Sequence, residues 1–259
     1  MLRLRAGDPA SRPALVTASA GNHGRALAHA ARLAGLPLTV YASDHAPRVK
    51  LDAMRAEGAE LRLCRDYDEA ERRAKRHGDG AVFISPYAHP DVIAGAGTVG
   101  LEIVADWPDV DTIVVAMGGG GLIGGVAIAA RAAAAPVAIV GVEAEASSPF
   151  TAALAAGRIV EIAVRPTLAD GLAGNLDPDT PTFEMVQSMV ERVVRVSEAD
   201  LRAAIAGVVL NERLVVEGAG SAGVAALLAG YVNGGRRKVA VVLSGANIDR
   251  LVLAELISA

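Results

Sequence analysis

The fold of this chain is decided by the stretch Val114-Val115-Ala116-Met117-Gly118-Gly119-Gly120-Gly121-Leu122-Ile123-Gly124-Gly125. An apolar, β-branched run breaks into four consecutive glycines and then continues with the composition of a helix. This pattern predicts a strand, a tight loop and a helix start. Glycine loops expose backbone N–H groups, and the helix behind them directs the positive end of its dipole at the loop. The stretch therefore predicts an anion site, most simply for a phosphate.

Two other interpretations of this stretch are a flexible linker and a membrane span. Residues 113–130 run for 18 positions without a charge, but six of these residues are glycine. That glycine content is poor for a spanning helix. A linker, in turn, would not be flanked by a valine-rich strand and an alanine-rich helix. The phosphate loop is the favoured interpretation.

Composition limits the class of protein. With 259 residues, 52% of them hydrophobic and only 3% aromatic, the chain can build one large or two modest domains with an aliphatic core. The net charge of −4 and the lack of a basic patch with interleaved aromatics argue against a nucleic-acid partner. The single cysteine, Cys64, excludes an intrachain disulfide and fits a reducing compartment. Because no signal-peptide pattern opens the sequence, we expect a cytoplasmic protein without a membrane partner.

The order of the predicted elements indicates an α/β fold with parallel sheets. Strands alternate with helices throughout, which predicts βαβ units with right-handed crossovers. The predicted strands are 14–17, 38–41, 60–64, 81–84, 114–117, 137–142, 192–196 and 238–243. The predicted helices include 25–33, 47–57, 68–77, 149–156 and 183–190, with further helices starting at 198 and 219. A change of composition at Pro86 indicates a domain junction there.

Two more polar loops lie at predicted strand ends. Residues 19–24 follow the first strand and could bind a carboxylate or a ring hydroxyl, or Ser19 or Asn22 could simply cap the next helix. Residues 244–247 follow the last strand and could face a ligand or form an ordinary turn. Ligands of open parallel sheets bind at the carboxyl edge. Three such loops can therefore converge on one crevice.

A dinucleotide site is the competing interpretation of the glycine loop. Gly119, Gly121 and Gly124 also satisfy the G-x-G-x-x-G pattern, and Glu143 lies where a ribose-binding carboxylate would be. However, the loop lies in mid-chain and no hydride-transfer constellation follows it. For Glu143 the simpler interpretation is a solvated carboxylate at a strand end.

Taken in order, five motifs resemble the threonine/serine dehydratase and serine racemase family of fold type II pyridoxal-phosphate enzymes. They lie at residues 19–24, 86–98, 118–122, 216–220 and 244–247, and so span nearly the whole chain. The resemblance implies a two-domain architecture with parallel sheets. Residues 11–85 would form a small α/β domain and residues 86–259 a large α/β domain. Residues 1–10 would be a remnant of a preceding helix, with the amino-terminal part of the large domain missing.

The same resemblance implies pyridoxal 5'-phosphate as cofactor and assigns residues to it. The amides of Gly118, Gly119, Gly120, Gly121 and Leu122 would hold its phosphate, Asn22 would bind the 3'-oxygen of the ring, and Ser244 would face the pyridine nitrogen. Ser19, Gly21, Asn22 and His23 would bind the substrate carboxylate.

The reaction implied by the resemblance is β-elimination from L-threonine or L-serine, which gives a 2-keto acid and ammonia. A serine hydroxyl does not hold a proton on the ring nitrogen as a carboxylate would, which favours elimination. Ala20 stands where the family's racemases have a serine acid/base, and this favours a dehydratase. Pro149 stands where metal-binding members have a second carboxylate after Glu143, so we predict no metal.

The family's cofactor lysine lies in a Ser-Phe-Lys-x-Arg-Gly motif that has no match in this chain. Lys50, Lys75 and Lys238 have other sequence contexts, and Arg3 cannot replace a lysine because its guanidinium stays protonated. We therefore expect no catalytic lysine here and no turnover by this chain alone, with the start of the complete enzyme lying upstream.

Two alternatives remain open: a non-catalytic protein or partner subunit that binds pyridoxal phosphate, and an NAD-binding Rossmann protein. The expected partners are a small amino-acid substrate and further copies of the chain in a homo-oligomer.

Overall fold

The computed structural model describes residues 12–19, 21–46, 48–78, 80–133, 135–232 and 238–258. The chain divides into two compact units at the Pro86–Tyr87 bond. Within the described residues, each unit contains one four-stranded sheet, and all strand pairings are parallel. The predicted α/β class with parallel sheets is confirmed. The predicted helix remnant at residues 1–10, together with Ser11 and Ala20, lies outside the described residues.

The sheet of the first unit has the strand order β3-β2-β1-β4. Its strands are β1 (Leu15–Ala18), β2 (Leu38–Ser43), β3 (Glu60–Cys64) and β4 (Val82–Phe83), and its helices are α1 (Asn22–Ala34), α2 (Arg48–Ala56) and α3 (Tyr67–Lys75). All four residues of β1 are buried. Burial on both faces is typical of an inner strand in a parallel sheet.

Helix α1 begins three residues before the predicted start at residue 25. Gly21 is its N-cap residue and makes no side-chain capping bond. The Ser19 hydroxyl performs this function, since it accepts a hydrogen bond from the Gly24 N–H at 2.9 Å. Asn22 and His23 consequently lie in the first helical turn rather than in the preceding loop.

The sheet of the second unit has the strand order β7-β6-β5-β8. Its strands are β5 (Thr112–Ala116), β6 (Ala138–Ala144), β7 (Arg192–Val196) and β8 (Val239–Val241). Its helices are α4 (Pro90–Asp106), α5 (Gly121–Ala130), α6 (Pro149–Ala156), α7 (Thr182–Met189), α8 (Glu198–Gly207), α9 (Gly218–Leu228) and α10 (Arg250–Ser258). Helix α10 was not predicted.

The core of the second unit lies on both faces of its sheet. Val114 of β5 packs in a cluster with residues of α8 and α9, whereas its neighbours Ile113 and Val115 pack in a second cluster with residues of α5, α6 and α7. This division follows from the alternation of side chains along a strand. Strand β5 is therefore enclosed on both sides, and the loop after it leaves the sheet from a rigid base.

Helices α4 and α5 cross at glycines. A Cβ atom at Gly125 would lie 2.4 Å from the Ile93 carbonyl oxygen and 2.7 Å from the Gly97 nitrogen. A Cβ atom at Gly100 would lie 2.8 Å from the Val126 carbonyl oxygen. The two backbones approach closely enough to exclude side chains at these positions.

The stretch at residues 113–130 is a strand, a loop and a helix, as predicted. The linker and membrane-span interpretations of this stretch are therefore wrong. No helix in the described parts of the chain has both the length and the apolar character needed to cross a bilayer.

Candidate functional site

The four-glycine loop connects β5 to α5 at the carboxyl edge of the second unit's sheet. Gly120 adopts the left-handed conformation, with φ 85° and ψ −4°, and α5 begins at Gly121. The first bond of this helix runs from the Gly124 N–H to the Gly120 carbonyl oxygen at 2.9 Å. Among the described residues, no hydrogen bond is donated by the N–H groups of residues 118–122. The loop thus offers several backbone donors at the positive end of a helix, which suits a phosphate.

Aromatic side chains enclose the loop so tightly that only glycine fits. A Cβ atom at Gly119 would lie 2.2 Å from Cγ of Tyr87, and one at Gly120 would lie 2.6 Å from Cζ of Phe150. A Cβ atom at Gly121 would lie 2.6 Å from the Tyr87 carbonyl oxygen. These contacts occupy the positions that side chains of residues 119–121 would take, so the loop consists of bare backbone and no side chain of its own covers its N–H groups. The residues present therefore fit a phosphate group held by main-chain amides.

Two buried threonines support the loop. The hydroxyl of Thr182, the first residue of α7, donates a hydrogen bond to the Gly119 carbonyl oxygen at 2.8 Å. The hydroxyls of Thr180 and Thr182 lie 2.8 Å apart, and the Thr182 N–H donates to the Thr180 hydroxyl at 3.3 Å. Both side chains are nearly inaccessible to solvent. The Gly119 carbonyl is therefore fixed by a hydrogen bond from a buried side chain.

The prediction that Glu143 is a solvated carboxylate is wrong. Strand β6 extends to Ala144, and the Glu143 side chain is completely buried. Its Oε1 accepts the Phe150 N–H at 2.7 Å, and its Oε2 accepts the N–H and hydroxyl of Thr151 at 2.9 and 2.6 Å. The carboxylate thus caps the first turn of α6, where the N-cap residue Ser148 makes no side-chain capping bond.

This environment shifts the pKa of Glu143 and removes it from ligand binding. Burial raises the pKa, and the hydrogen bonds from Thr151 and Phe150 and the charge of Arg195 offset the shift only in part. A carboxylate sealed inside the protein cannot bind a ribose, so the structure gives no support to the dinucleotide interpretation. Among the described residues, no group of three or more histidine, cysteine, aspartate or glutamate side chains is arranged to hold a metal ion.

Ser244 lies at the same sheet edge as the glycine loop, because β5 and β8 are adjacent parallel strands and both loops follow their carboxyl ends. The Ser244 side chain is exposed. It borders a shallow groove of about 330 Å³ whose other lining residues are Leu214, Val215, Val216, Leu243, Gly245 and Ala246. The hydroxyl is thus available to a ligand in this groove.

Glu217 holds the turn that carries Ser244. Its N–H donates to the Gly245 carbonyl oxygen at 3.0 Å, and its Oε2 accepts the Asn247 N–H at 3.0 Å. The side chain is buried. The turn is therefore fixed on both sides by one residue at the start of α9. From the sequence alone, the motif around Glu217 was only one part of the family resemblance.

Residues 170–172 connect the two loops within the second unit. A Cβ atom at Gly118 would lie 3.0 Å from Cα of Leu172, and a Cβ atom at Gly171 would lie 3.1 Å from Cβ of Ala219. Ala219 belongs to the first turn of α9, next to Glu217. The structure thus joins the phosphate loop and the Ser244 turn through continuous packing at one sheet edge.

In the first unit, Ser19, Gly21, Asn22 and His23 lie together where β1 ends and α1 begins. The Ser19 hydroxyl accepts the N–H groups of Gly24 and Gly21, at 2.9 and 3.2 Å. The His23 Nε2 lies 3.1 Å from the Thr17 hydroxyl, and the Asn22 side chain is exposed. The Ser19 hydroxyl oxygen thus accepts hydrogen bonds from the start of α1. The predicted roles of Ser19, Gly21, Asn22 and His23 in binding a substrate stay predictions.

The lysine of the second unit lies at the wrong end of the sheet for this site. Lys238 immediately precedes β8, whereas Ser244 follows it. Its ammonium group is exposed and paired with Asp109. In the first unit, Lys50 lies on α2 and Lys75 on α3, where Lys75 pairs with Glu71 at 3.7 Å.

Sequence reasoning missed the supports of the glycine loop. Tyr87 lies within the motif at residues 86–98, so the family resemblance already marked the segment that contains it, although not as a neighbour of Gly119. Phe150 and Thr182 lie 29 and 61 residues after Gly121, and no local pattern connects them with the loop.

Comparisons with known proteins identify the family of this chain. A family model described as "Pyridoxal-phosphate dependent enzyme" matches residues 1–245. An L-threonine ammonia-lyase from Thermotoga maritima is 42% identical over 238 residues, which cover 91% of this chain and 59% of that protein. The chain thus spans about three fifths of the length of this curated relative.

Solved structures show the same fold. The processed form of threonine deaminase isoform 2 from Solanum lycopersicum has 31% identity and a TM-score of 0.85, with 95% of this chain and 73% of that chain covered. Maize serine racemase has 30% identity and a TM-score of 0.86, with 98% and 82% covered. The glycine loop, the Ser244 turn and these matches lead to one conclusion: the chain belongs to the pyridoxal-phosphate-dependent enzyme family and has the two-domain fold type II architecture.

Proposed function

We propose that this chain forms the cofactor-binding part of an ammonia-lyase that converts L-threonine or L-serine into a 2-keto acid and ammonia. When bound, pyridoxal phosphate would supply the electron sink that stabilises negative charge at the substrate α-carbon. The names of the similar proteins, an L-threonine ammonia-lyase and a threonine deaminase, support this reaction class.

One observation carries the proposal: the amides of residues 118–122 donate no hydrogen bond among the described residues and lie at the start of α5. These five N–H groups lie in one turn, which contains the left-handed residue Gly120. Such a group of donors suits the acceptor oxygens of a phosphate ester. Gly118, Gly119, Gly120, Gly121 and Leu122 would provide these donors.

Ser244 would contact the pyridine nitrogen. Its hydroxyl is neutral, so it can donate or accept a hydrogen bond but does not hold a proton on the ring as an aspartate would. With Ser244 rather than a carboxylate at this position, the site would favour loss of the β-hydroxyl over reactions that need a long-lived carbanion. Glu217 would act indirectly, because it fixes the turn on which Ser244 lies.

The substrate carboxylate would bind at the start of α1. Ser19, Gly21, Asn22 and His23 lie at a helix amino terminus, where the dipole favours negative charge. Asn22 is exposed and carries an amide that can donate to an oxygen of the substrate or of the cofactor ring.

The test compares three ligands by equilibrium dialysis against the 259-residue protein: pyridoxal phosphate, pyridoxal and NAD. We expect pyridoxal phosphate to bind at least about tenfold more tightly than pyridoxal, because only the phosphate engages charge-assisted bonds from the loop. NAD should not bind. Equal affinities for pyridoxal and its phosphate, or binding of NAD instead, would overturn the proposal.

A non-catalytic cofactor-binding protein or partner subunit is the second candidate. It is favoured by the position of Lys238, which lies at the opposite sheet end from Ser244. Formation of 2-ketobutyrate from L-threonine by the purified 259-residue protein would exclude this candidate, and it would also contradict the expectation that this chain lacks the catalytic lysine.

A further inference from the structure

The hydroxyl of Thr182 is placed to control the shape of the glycine loop. This side chain is fully buried at the first position of α7 and donates to the Gly119 carbonyl oxygen at 2.8 Å. Its Cβ would also lie 2.9 Å from a Cβ atom at Gly120. Thr182 therefore contacts two successive glycines of the loop, one by a hydrogen bond and one by packing.

The hydrogen bond to the Gly119 carbonyl oxygen determines the direction in which the Gly120 N–H points. The described residues contain no cis peptide bond, and in a trans peptide unit the carbonyl and the N–H point in opposite directions. Because the Gly119 carbonyl points toward Thr182, the N–H of Gly120 points away from it. Gly120 has the left-handed conformation, and since glycine has no Cβ, rotation of this peptide unit meets little intrinsic resistance. An external contact is needed to fix it.

Thr180 orients the Thr182 hydroxyl. The Gly119 carbonyl has no proton, so Thr182 must be the donor in that bond. The Thr182 oxygen can then only accept from Thr180, at 2.8 Å, while the Thr180 oxygen accepts the Thr182 N–H at 3.3 Å. The result is a directed chain of hydrogen bonds from Thr180 through Thr182 to Gly119, all of it buried, where such bonds are strongest.

We propose that Thr182 is a positioning residue for phosphate binding: by holding the Gly119 carbonyl in the interior, it keeps the Gly120 N–H turned toward the anion. The inference rests on the proposed function, since it assumes that the glycine loop binds the phosphate. Thr182 itself would not touch the ligand.

The experiment measures the affinity of Thr182→Val, Thr182→Ser and wild-type protein for inorganic phosphate and for pyridoxal phosphate. Valine keeps the shape but removes the hydroxyl, so we expect affinity for both ligands to fall about tenfold. Serine keeps the hydroxyl, and its affinity should stay within about twofold of wild type. Thr112→Val is the matched control, because the Thr112 hydroxyl is also buried but bonds to Asp111 at the opposite end of β5.

A second measurement separates positioning from a general loss of structure. In two-dimensional NMR spectra, the Gly120 amide should shift in Thr182→Val without added ligand and return to its wild-type position in Thr182→Ser. If Thr182→Val does not fold, Thr180→Val provides the test, since it removes the donor to Thr182 and should weaken phosphate binding about threefold.

Wild-type affinity for both ligands in a folded Thr182→Val protein would overturn the role of Thr182 and leave the proposed function intact. Failure of the wild-type protein itself to bind either ligand would overturn both. An equal loss in Thr112→Val and Thr182→Val would show a global effect and would also contradict the inference.

Discussion

Gly120 combines a left-handed backbone conformation with close packing by neighbouring side chains. We expect Gly120→Ala to destabilise the protein by about 2–4 kcal/mol, because left-handed strain adds to overpacking against Phe150 and Thr182. It should also abolish phosphate binding. Urea unfolding and equilibrium dialysis measure the two effects.

Gly157→Ala is the matched control for this strain. Gly157 has a similar φ of 67°, and a Cβ atom there meets no atom within 4 Å. Its cost should be limited to about 1 kcal/mol, with unchanged phosphate affinity. Equal costs for the two variants would contradict the role assigned to packing around the loop.

Glu143 provides a prediction with a defined pH dependence. Glu143→Gln places an amide group against N–H donors of α6, so we expect a loss of about 1–3 kcal/mol in unfolding free energy. Burial raises the folded-state pKa of Glu143, so the folded protein binds the proton more tightly than the unfolded chain.

The contribution of Glu143 to stability must therefore fall as pH rises from about 4.3 to the raised folded-state pKa. The stability difference between wild type and Glu143→Gln should shrink over this window and then stay constant. Urea unfolding at several pH values measures it, and a difference that grows with pH would contradict the direction of the shift.

Among the secondary-structure elements, the crossing of α4 and α5 positions the start of α5 and with it the phosphate loop. Gly125→Ala should cost about 1–3 kcal/mol, because the added Cβ would meet backbone atoms of Ile93 and Gly97 that cannot move aside individually.

Gly95→Ala is the counterpart on α4. Gly95 is exposed, and a Cβ atom there meets no atom within 4 Å. This change should stabilise the protein by about 0.5–1 kcal/mol through helix propensity. Thermal unfolding of both variants is sufficient as a test, and destabilisation by both would show that the helix crossing is not the cause.

The elements also show what the sequence could predict. The β5–loop–α5 unit was predictable because its signals are local: a β-branched run, four glycines and an alanine-rich segment. The start of α1 was not predictable in this way. It depends on a hydrogen bond to the Ser19 hydroxyl, and Ser19 lies two residues before the N-cap residue Gly21. Helix α10 was also not predicted. Most of its residues are exposed, and even Leu251 is 74% exposed, so the helix has no clear buried stripe that the sequence could reveal.

The candidate site divides in the same way. Its glycines and Ser244 lie in recognisable motifs, so their positions at one sheet edge followed from the parallel order of β5 and β8. Glu143 was misjudged because its burial depends on α6 folding back over the strand end. The contact between Thr182 and Gly119 joins residues 63 positions apart, and such a pair leaves no periodic signal.

For the complete 259-residue protein, we expect cofactor binding without turnover. The 259-residue protein should bind pyridoxal phosphate but release no 2-ketobutyrate from L-threonine, because no lysine lies in the family's cofactor-lysine motif and Lys238 lies at the amino-terminal sheet edge. A coupled assay of 2-keto acid formation, with free cofactor as the background, measures this. Turnover well above that background would show that another amine performs the reaction.

We expect main-chain amides of the glycine loop to bind the phosphate of the cofactor, and an NMR titration can follow these amides one by one. Amide resonances of Gly118, Gly119, Gly120, Gly121 and Leu122 are followed while pyridoxal phosphate, and separately pyridoxal, is added to the protein. We expect large, saturable shifts of these amides with pyridoxal phosphate and little change with pyridoxal. Unchanged loop amides at saturating pyridoxal phosphate would contradict it.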